Sequence, residues 1–271
     1  MDPALKWAGS KRWLAPGLAD LYRSHRQRRL VEPFVGSMAV ALALQPERAL
    51  LCDANPHLIN FHQRLQHPYP FSISMLNDER FYYAQRAVFN TLVKLPWGML
   101  TAEAAEIFYY LNRTGFNGLC RFNKSGEFNV PFGKYAAIDY RTDFAEYAPL
   151  VQRWDLRCQS FAVTLAALEP TDFLYIDPPY DETFTDYSTG GFTWEQQVQL
   201  AELAARHPGP IVASNNATSR VLELYRTLGF TVETTAVKRS IAASGNRDAA
   251  MEMLAMKNID SRKEVEAKLV G

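Results

Sequence analysis

Apolar residues recur along the chain with two different periods, and the switches between them mark out the elements. Residues 13–25 carry helical spacing, and a short apolar run over 29–34 predicts a strand. That strand ends in Val35-Gly36-Ser37 and passes into an apolar helix over 38–44. A second strand, 49–52, ends in Asp53, and Asn55 is placed to cap a helix beginning near Pro56. The order strand, Gly turn, helix, strand, acid opens a nucleotide-binding βαβ unit. Helical spacing continues over 77–94 and 101–114, followed by a Gly/Asn-rich stretch, 114–135, with little periodicity. A structureless stretch of this length inside a compact protein is usually functional. Alternation resumes at Phe173-Leu174-Tyr175-Ile176, a buried-strand signature running straight into Asp177-Pro178-Pro179-Tyr180. Helices over 194–206 and 219–228 then alternate with strands over 211–213, 230–237 and 250–256. The tail from 258 is charged and is expected to fray or form a short helix. The pattern predicts an α/β sheet interrupted by a mostly helical insertion.

Composition narrows the class. The 271 residues suffice for one large domain or two modest ones, and 48% hydrophobic with 21% charged residues is ordinary for a soluble globular chain. No run approaches the roughly 18 apolar residues of a membrane span, and the start lacks a charged segment before an apolar one. A cytoplasmic protein is expected. Three widely spaced cysteines (Cys52, Cys120, Cys158) suggest neither a disulfide framework nor a zinc site, so packing roles and no metal are expected. Lys plus Arg and Asp plus Glu balance at 29 each, which argues against a nonspecific nucleic-acid coat but leaves room for a local positive face. Arg23, Arg26, Arg28 and Arg29 form one such cluster, either a solvated helix end or a phosphate contact.

Ligands in open α/β sheets sit at the carboxyl ends of the strands, where Asp177-Pro178-Pro179-Tyr180 falls. At average residue frequencies this tetrapeptide arises by chance in roughly one chain of this length per thousand. Prolines alone would make it a strand-ending turn. A carboxylate after a fully apolar run, with an aromatic ring three residues on, favours chemistry. The Asp177 carboxylate and the Pro178 carbonyl can each accept a hydrogen from a conjugated amino group, localising its lone pair for direct attack on a methyl donor. Two prolines hold the carbonyl in place beforehand, where preorganisation counts. Tyr180 offers a face on which an extruded base can stack. Methylation of a cytosine ring carbon would need a nucleophilic cysteine, usually after proline, and none of the three cysteines follows one.

Five ordered blocks extend this pattern: Leu5-Lys6-Trp7-Ala8-Gly9-Ser10-Lys11; Glu32-Pro33-Phe34-Val35-Gly36-Ser37; Cys52 through Asn60; Leu111 through Tyr135; and Asp177 through Tyr180 with the later Phe184-Thr185-Asp186-Tyr187. In them the chain closely resembles the Dam family of DNA adenine methyltransferases over nearly its whole length. The resemblance implies a Rossmann-like class I methyltransferase sheet with an inserted, mostly helical DNA-recognition domain. Residues 1–56 and 145–271 would form the S-adenosylmethionine-binding catalytic domain, and 57–144 the target-recognition domain. The implied cofactor-site residues are Trp7, Ala8, Lys11, Pro33, Phe34, Gly36, Ser37, Asp53 and Asp177, with Ser160 and Phe161 beside the cofactor adenine. Asp53 would accept hydrogen bonds from the ribose hydroxyls, in agreement with the acid-after-second-strand logic.

The block 111–123 mixes Asn, Arg and aromatic side chains, which suits base-edge reading and stacking. The family places a recognition hairpin here, so Phe116, Asn117, Leu119, Arg121 and Pro131 resemble its base-contacting positions. Lys6 resembles a lysine reaching an outer guanine, and Lys134 a phosphate contact. The implied activity is base flipping and direct methyl transfer to the adenine N6 amino group in double-stranded DNA at GATC, by a monomer. Three departures stand out: Met38 where the family has a second Gly, Ser10 in place of a usual Gly, and a segment shortened to residues 181–183 between Tyr180 and Phe184. The alternatives are N4 methylation of cytosine, which shares the chemistry, and a catalytically silent DNA-binding regulator. Intact Asp53, Asp177 and Tyr180 speak against the second.

Overall fold

Short polar caps start α-helices at Asn55, Asp78, Thr101, Ser160 and Thr193, and apolar runs make the central strands. The computed structural model describes residues 1–11, 13–180, 192–238 and 249–259. In chain order the elements are α1 (Ala15–Tyr22), β1 (Leu30–Glu32), α2 (Ala39–Leu44), β2 (Ala49–Asp53), α3 (Pro56–Arg64), α4 (Glu79–Leu92), α5 (Ala102–Thr114) and α6 (Ala148–Val151). Then follow β3 (Trp154–Cys158), α7 (Phe161–Ala166), β4 (Phe173–Ile176), α8 (Trp194–Ala205), β5 (Ile211–Asn216), α9 (Ser219–Thr227), β6 (Thr231–Lys238) and β7 (Ala249–Lys257). Asn55 caps α3 as expected, its side-chain oxygen accepting from His57 N at 3.0 Å and Leu58 N at 3.2 Å, with Pro56 in the first turn. Asp78 and Thr101 cap α4 and α5 in the same way.

The seven strands among the described residues form one sheet in the order β3-β2-β1-β4-β5-β7-β6. β3 through β5 are parallel, and β7 runs antiparallel between β5 and β6. Parallel strands are covered on both faces, and alternate residues divide accordingly. Leu30, Leu51, Phe173 and Tyr175 join a core with α1 and α2, while Val31, Leu50, Leu174 and Ile176 pack towards α7, α8 and α9. The first of these cores continues through Phe61 of α3, stacked on Tyr109 of α5 at 5.7 Å, to Phe89 of α4. The helical insertion is therefore built onto one face of the sheet by continuous apolar packing.

Three regions differ from the sequence pattern. β3, α6 and α7 fall where the pattern assigned no element. β3 is an edge strand with Asp155 and Arg157 exposed, so it lacks the apolar run of the central strands. Residues 115–132 are a hairpin, with antiparallel bridges Gly115 to Phe132 and Phe122 to Phe128. A few spaced backbone bonds cross it, among them Phe116 N to the Pro131 carbonyl at 2.9 Å and Asn129 N to the Arg121 carbonyl at 3.1 Å, and side chains of α4 supply further ones. Tyr82 Oη and Arg86 Nη1 both donate to the Val130 carbonyl at 2.9 Å, and Asn90 Oδ1 accepts from Phe128 N at 2.8 Å. No period of two is needed, which is why the sequence showed none. The expected tail beyond 259 lies outside the described residues.

Two members of the arginine cluster are structural ties rather than a solvated helix end. Arg29 donates to both carboxylate oxygens of Asp172, at 3.0 and 2.7 Å, and Arg28 to the Thr171 carbonyl at 2.8 Å. Both lie at the amino ends of β1 and β4, opposite the edge where Asp177 sits. Cys52 and Cys120 are buried as expected, but Cys158 is exposed at the end of edge strand β3. Among the described residues no helix is long and apolar enough to cross a membrane. Because Asp172 is buried and also accepts from Glu169 N at 2.7 Å, Asp172→Ala strands a backbone donor and removes the bidentate partner of Arg29, which keeps its 3.3 Å pairing with Glu169. A loss of about 2–3 kcal/mol in urea unfolding is expected; a loss under about 0.5 kcal/mol, the scale of an exposed pair, would contradict this.

Candidate active site

The carboxyl edge of the sheet collects the residues that the sequence singles out. Asp177 follows β4 directly, and its Oδ1 lies 3.0 Å from Lys11 Nζ and accepts from Ser214 Oγ of β5 at 2.9 Å. Tyr175 Oη shares a 3.0 Å hydrogen bond with Ser214 Oγ. Burial pushes the Asp177 carboxyl above its usual range, against the opposing pull of Lys11 and Ser214. Lys11 is itself only 3% exposed. It donates to the Gly9 carbonyl at 2.8 Å, lies 3.9 Å from Glu252 Oε2, and sits 4.8 Å from the centre of the Tyr180 ring. The Tyr180 hydroxyl donates to Glu252 Oε2. Behind the motif, Gln197 of α8 donates to the Pro179 carbonyl at 2.8 Å, and Asn215 of β5 donates to Gln197 Oε1 at 3.1 Å. Pro178 is buried, so the tetrapeptide is fixed from both sides.

A second group lies along β1 and β2. Gly36 takes φ +48°, and its N donates to Asp53 Oδ2 at 3.2 Å, while Asp53 Oδ1 accepts from Asn55 N at 3.0 Å. A Cβ at Gly36 would come within 3.0 Å of Trp7 Nε1, so the indole rests against this turn. Below it, His62 Nε2 donates to the Gly36 carbonyl at 2.7 Å. Burial lowers the His62 pKa to about 4, so the imidazole is neutral and its Nε2 carries the proton. Burial raises the Asp53 carboxyl to about 6, opposed by the backbone N–H groups of Asn55, Gly36 and Ala54. Met38, in the place of a second Gly, adopts the left-handed conformation itself at φ +65° while fully buried. The turn closes with Met38 N donating to the Val35 carbonyl at 2.9 Å, at a backbone cost of about 1–2 kcal/mol. Ser10 Oγ meets Ser37 Oγ at 3.4 Å, Pro33 is buried, and Ala8 is exposed between Trp7 and Gly9. Phe34 stacks on Phe161 at 5.8 Å, and Phe192 packs edge-on against Phe34. Ser160 is exposed and caps α7 by accepting from Val163 N at 3.4 Å.

The hairpin meets the same edge. Asn112 of α5 accepts from Lys6 N at 2.8 Å and donates to the Lys6 carbonyl at 2.8 Å and the Gly118 carbonyl at 3.1 Å. Lys6 Nζ donates to the Arg113 carbonyl at 3.2 Å and lies 4.0 Å from the Tyr135 ring centre. Burial, then the charge of Arg113, lowers its pKa. Gly118 packs so closely on the Lys6 side chain that a Cβ would fall 2.4 Å from Lys6 Cβ. Phe116 is 45% exposed, Asn117 adopts φ +52°, Leu119 is half-buried, and Pro131 is exposed with its carbonyl accepting from Phe116 N at 2.9 Å. Arg121 is turned along the hairpin, Nε donating to Asn129 Oδ1 at 2.7 Å, and Lys134 is exposed at φ +50°. Phe184 to Tyr187 and the shortened segment 181–183 lie outside the described residues.

Sequence reasoning missed Glu32, Asn112, Gln197, Ser214, Asn215 and Glu252. A lone acid within the apolar run Met251-Glu252-Met253-Leu254, and three polar residues closing β5, were the available signals. Glu32 is 2% exposed, and burial, then the nearby charge of Asp177, pushes its carboxyl well up. One of its oxygens, Oε1, finds no hydrogen-bond partner among the described residues.

A seven-stranded sheet with an antiparallel seventh strand, an acid ending β2 and Asp-Pro-Pro-Tyr after β4 define the Rossmann-like class I methyltransferase fold. Residues 7–241 match the D12 class N6 adenine-specific DNA methyltransferases, and the chain belongs to that family. It is 38% identical to the Retron Ec67 DNA adenine methylase of Escherichia coli over 94% of this chain and 91% of that protein. It is 36% identical to the DNA adenine methylases of Vibrio cholerae serotype O1 and of Escherichia coli K12, each over 93% of this chain and 94% of the relative. Among solved structures, the precorrin-6y C5,15-methyltransferase of Geobacter metallireducens GS-15 aligns with 95% of this chain and 100% of its own, at 11% identity and a TM-score of 0.42. That likeness is too slight to carry an argument. Removing the Lys11 cation by Lys11→Met takes away the charge that holds the Asp177 carboxyl down. The acid limb of the kcat/KM profile for DNA methylation is expected to move to higher pH; an unmoved limb would contradict the ion pair's role.

Proposed function

We propose that this adenine-specific DNA methyltransferase uses S-adenosylmethionine, extrudes its target base and acts at GATC. The observation that carries the reading is the convergence of Asp177, Lys11 and Tyr180 at one strand end, beside a turn held by Asp53. The residues fit a nucleoside cofactor with a charged amino-acid end. Asp53 offers acceptors for ribose hydroxyls, Phe34 and Phe161 an apolar wall, and Trp7 a ring beside the Gly36 turn. Buried Glu32 Oε1, unmatched among the described residues, marks further polar demand nearby. The cofactor would supply an electrophilic methyl group on sulfonium.

The chain's own part is to prepare the amino nitrogen. Asp177 accepts one of its hydrogens and the Pro178 carbonyl the other, which localises the lone pair. Lys11 and Ser214 fix the carboxylate before the base arrives, so no reorganisation is needed during transfer. Tyr180 stacks on the extruded base. We assign residues 1–56 and 145–271 to cofactor and catalysis, and 57–144 to target recognition. Phe116, Asn117, Leu119, Pro131 and Lys6 cluster at the hairpin root, where base edges would be read, while Arg121 must release Asn129 to reach a guanine. Lys134 is exposed for a phosphate.

Duplexes containing GATC or its permutations, incubated with protein and S-adenosylmethionine and then cut with methylation-sensitive endonucleases, test the target. Protection at GATC alone is expected, with a loss of about a thousandfold in Asp177→Ala. Protection elsewhere, or full activity of that variant, would overturn the reading. Asp53 accepts on both oxygens, and with a full charge, only when it is ionised, so cofactor affinity should fall as pH drops through about 6. A weakening of up to about tenfold between about pH 7.5 and about pH 5 follows from the ionised fraction. Calorimetry would show it in the wild type and a flat profile in Asp53→Asn; equal slopes would refute the assignment.

A further inference from the structure

We propose that Glu252 is a positioning residue for methyl transfer, acting through the hydroxyl of Tyr180; this rests on the catalytic reading above. Glu252 is 7% exposed and lies opposite Asn216, the last residue of β5, so it projects from the one antiparallel strand at the edge where Asp177 sits. Its backbone is fixed on both sides, paired with Asn216 and with Thr235 of β6. The carboxylate accepts the Tyr180 hydroxyl hydrogen and stands 3.9 Å from Lys11 Nζ.

A tyrosine ring turns about two torsions, so its tilt depends on what holds its far end. A hydrogen bond at the far end fixes that tilt. Lys11 lies over the ring at 4.8 Å from its centre, so a base can stack only on the opposite side. Ring tilt then decides how the base lies relative to Asp177, whose Oδ1 contacts the same lysine at 3.0 Å. An acid buried 72 residues away in sequence thus sets the orientation of a stacking platform. Misplacement by a fraction of an ångström costs rate rather than cofactor affinity.

A double-mutant cycle tests this. Glu252→Ala is expected to lower kcat on duplex DNA about tenfold with the S-adenosylmethionine KM unchanged. Glu252→Gln, whose side-chain oxygen can still accept the hydroxyl hydrogen, should restore most of it. Tyr180→Phe removes the donor and should cost about the same, and adding Glu252→Ala to it should cost nothing more. Equal losses from Glu252→Ala in both backgrounds, or a change in cofactor KM alone, would overturn the proposal. Should Glu252→Ala not fold, Tyr180→Phe and Glu252→Gln still decide it, because wild-type kcat in Tyr180→Phe contradicts it. Wild-type protein without any transfer to duplex DNA would instead sink the catalytic reading itself.

Discussion

A buried lysine holds the candidate site together. Lys11 is almost wholly removed from water, a costly place for a cation unless carboxylates and carbonyls surround it. Here Asp177, Glu252 and the Gly9 carbonyl surround it, with the Tyr180 ring alongside. These groups come from the N-terminal segment, from the end of β4 and from β7. One ion therefore fastens the segment preceding α1 across the carboxyl edge of the sheet. Within that segment Trp7 rests against the Gly36 turn and Lys6 is clamped by Asn112 at the hairpin root. The three regions we assign to cofactor, base and target sequence share a single strap of six residues.

The two edges of the sheet divide the labour. At the amino ends of β1 and β4, Arg29 and Asp172 form a closed pair that serves stability. At the carboxyl ends, carboxylates are held in positions that raise their proton affinity: Asp53, Asp177 and Glu32 are all pushed up by burial. Such displaced groups concentrate where chemistry or binding occurs. The turn at Met38 tells the same story in backbone terms, since a buried methionine tolerates a left-handed conformation only where its surroundings over-determine it.

Local signals made much of this legible. Central strands announced themselves as apolar runs, Asn55 and Pro56 marked a helix start, Asp53 ended a strand and Asp177 followed one directly. What stayed hidden depends on contacts between distant positions. β3 has an edge strand's alternation and too few apolar residues to stand out. The hairpin has only spaced cross-strand bonds and takes others from α4 side chains, so its own residues show no period. Lys11 was read as a cofactor-site residue, whereas its bond to Asp177 spans a separation that no motif encodes. Glu252 looked like an interruption of an apolar strand until the register placed it opposite Asn216. The arginine cluster left its reading open for the same reason, because the partners of Arg28 and Arg29 lie over 140 residues away.

The most direct test of the central claim is a crystal structure of the protein with a non-reactive sulfonium-site analogue of S-adenosylmethionine and a duplex containing GATC. The expected result is an extruded adenine, stacked on Tyr180, whose amino nitrogen lies within hydrogen-bonding distance of both the Asp177 carboxylate and the Pro178 carbonyl. A target base that remains in the helix, or an amino group bound away from Asp177, would contradict it.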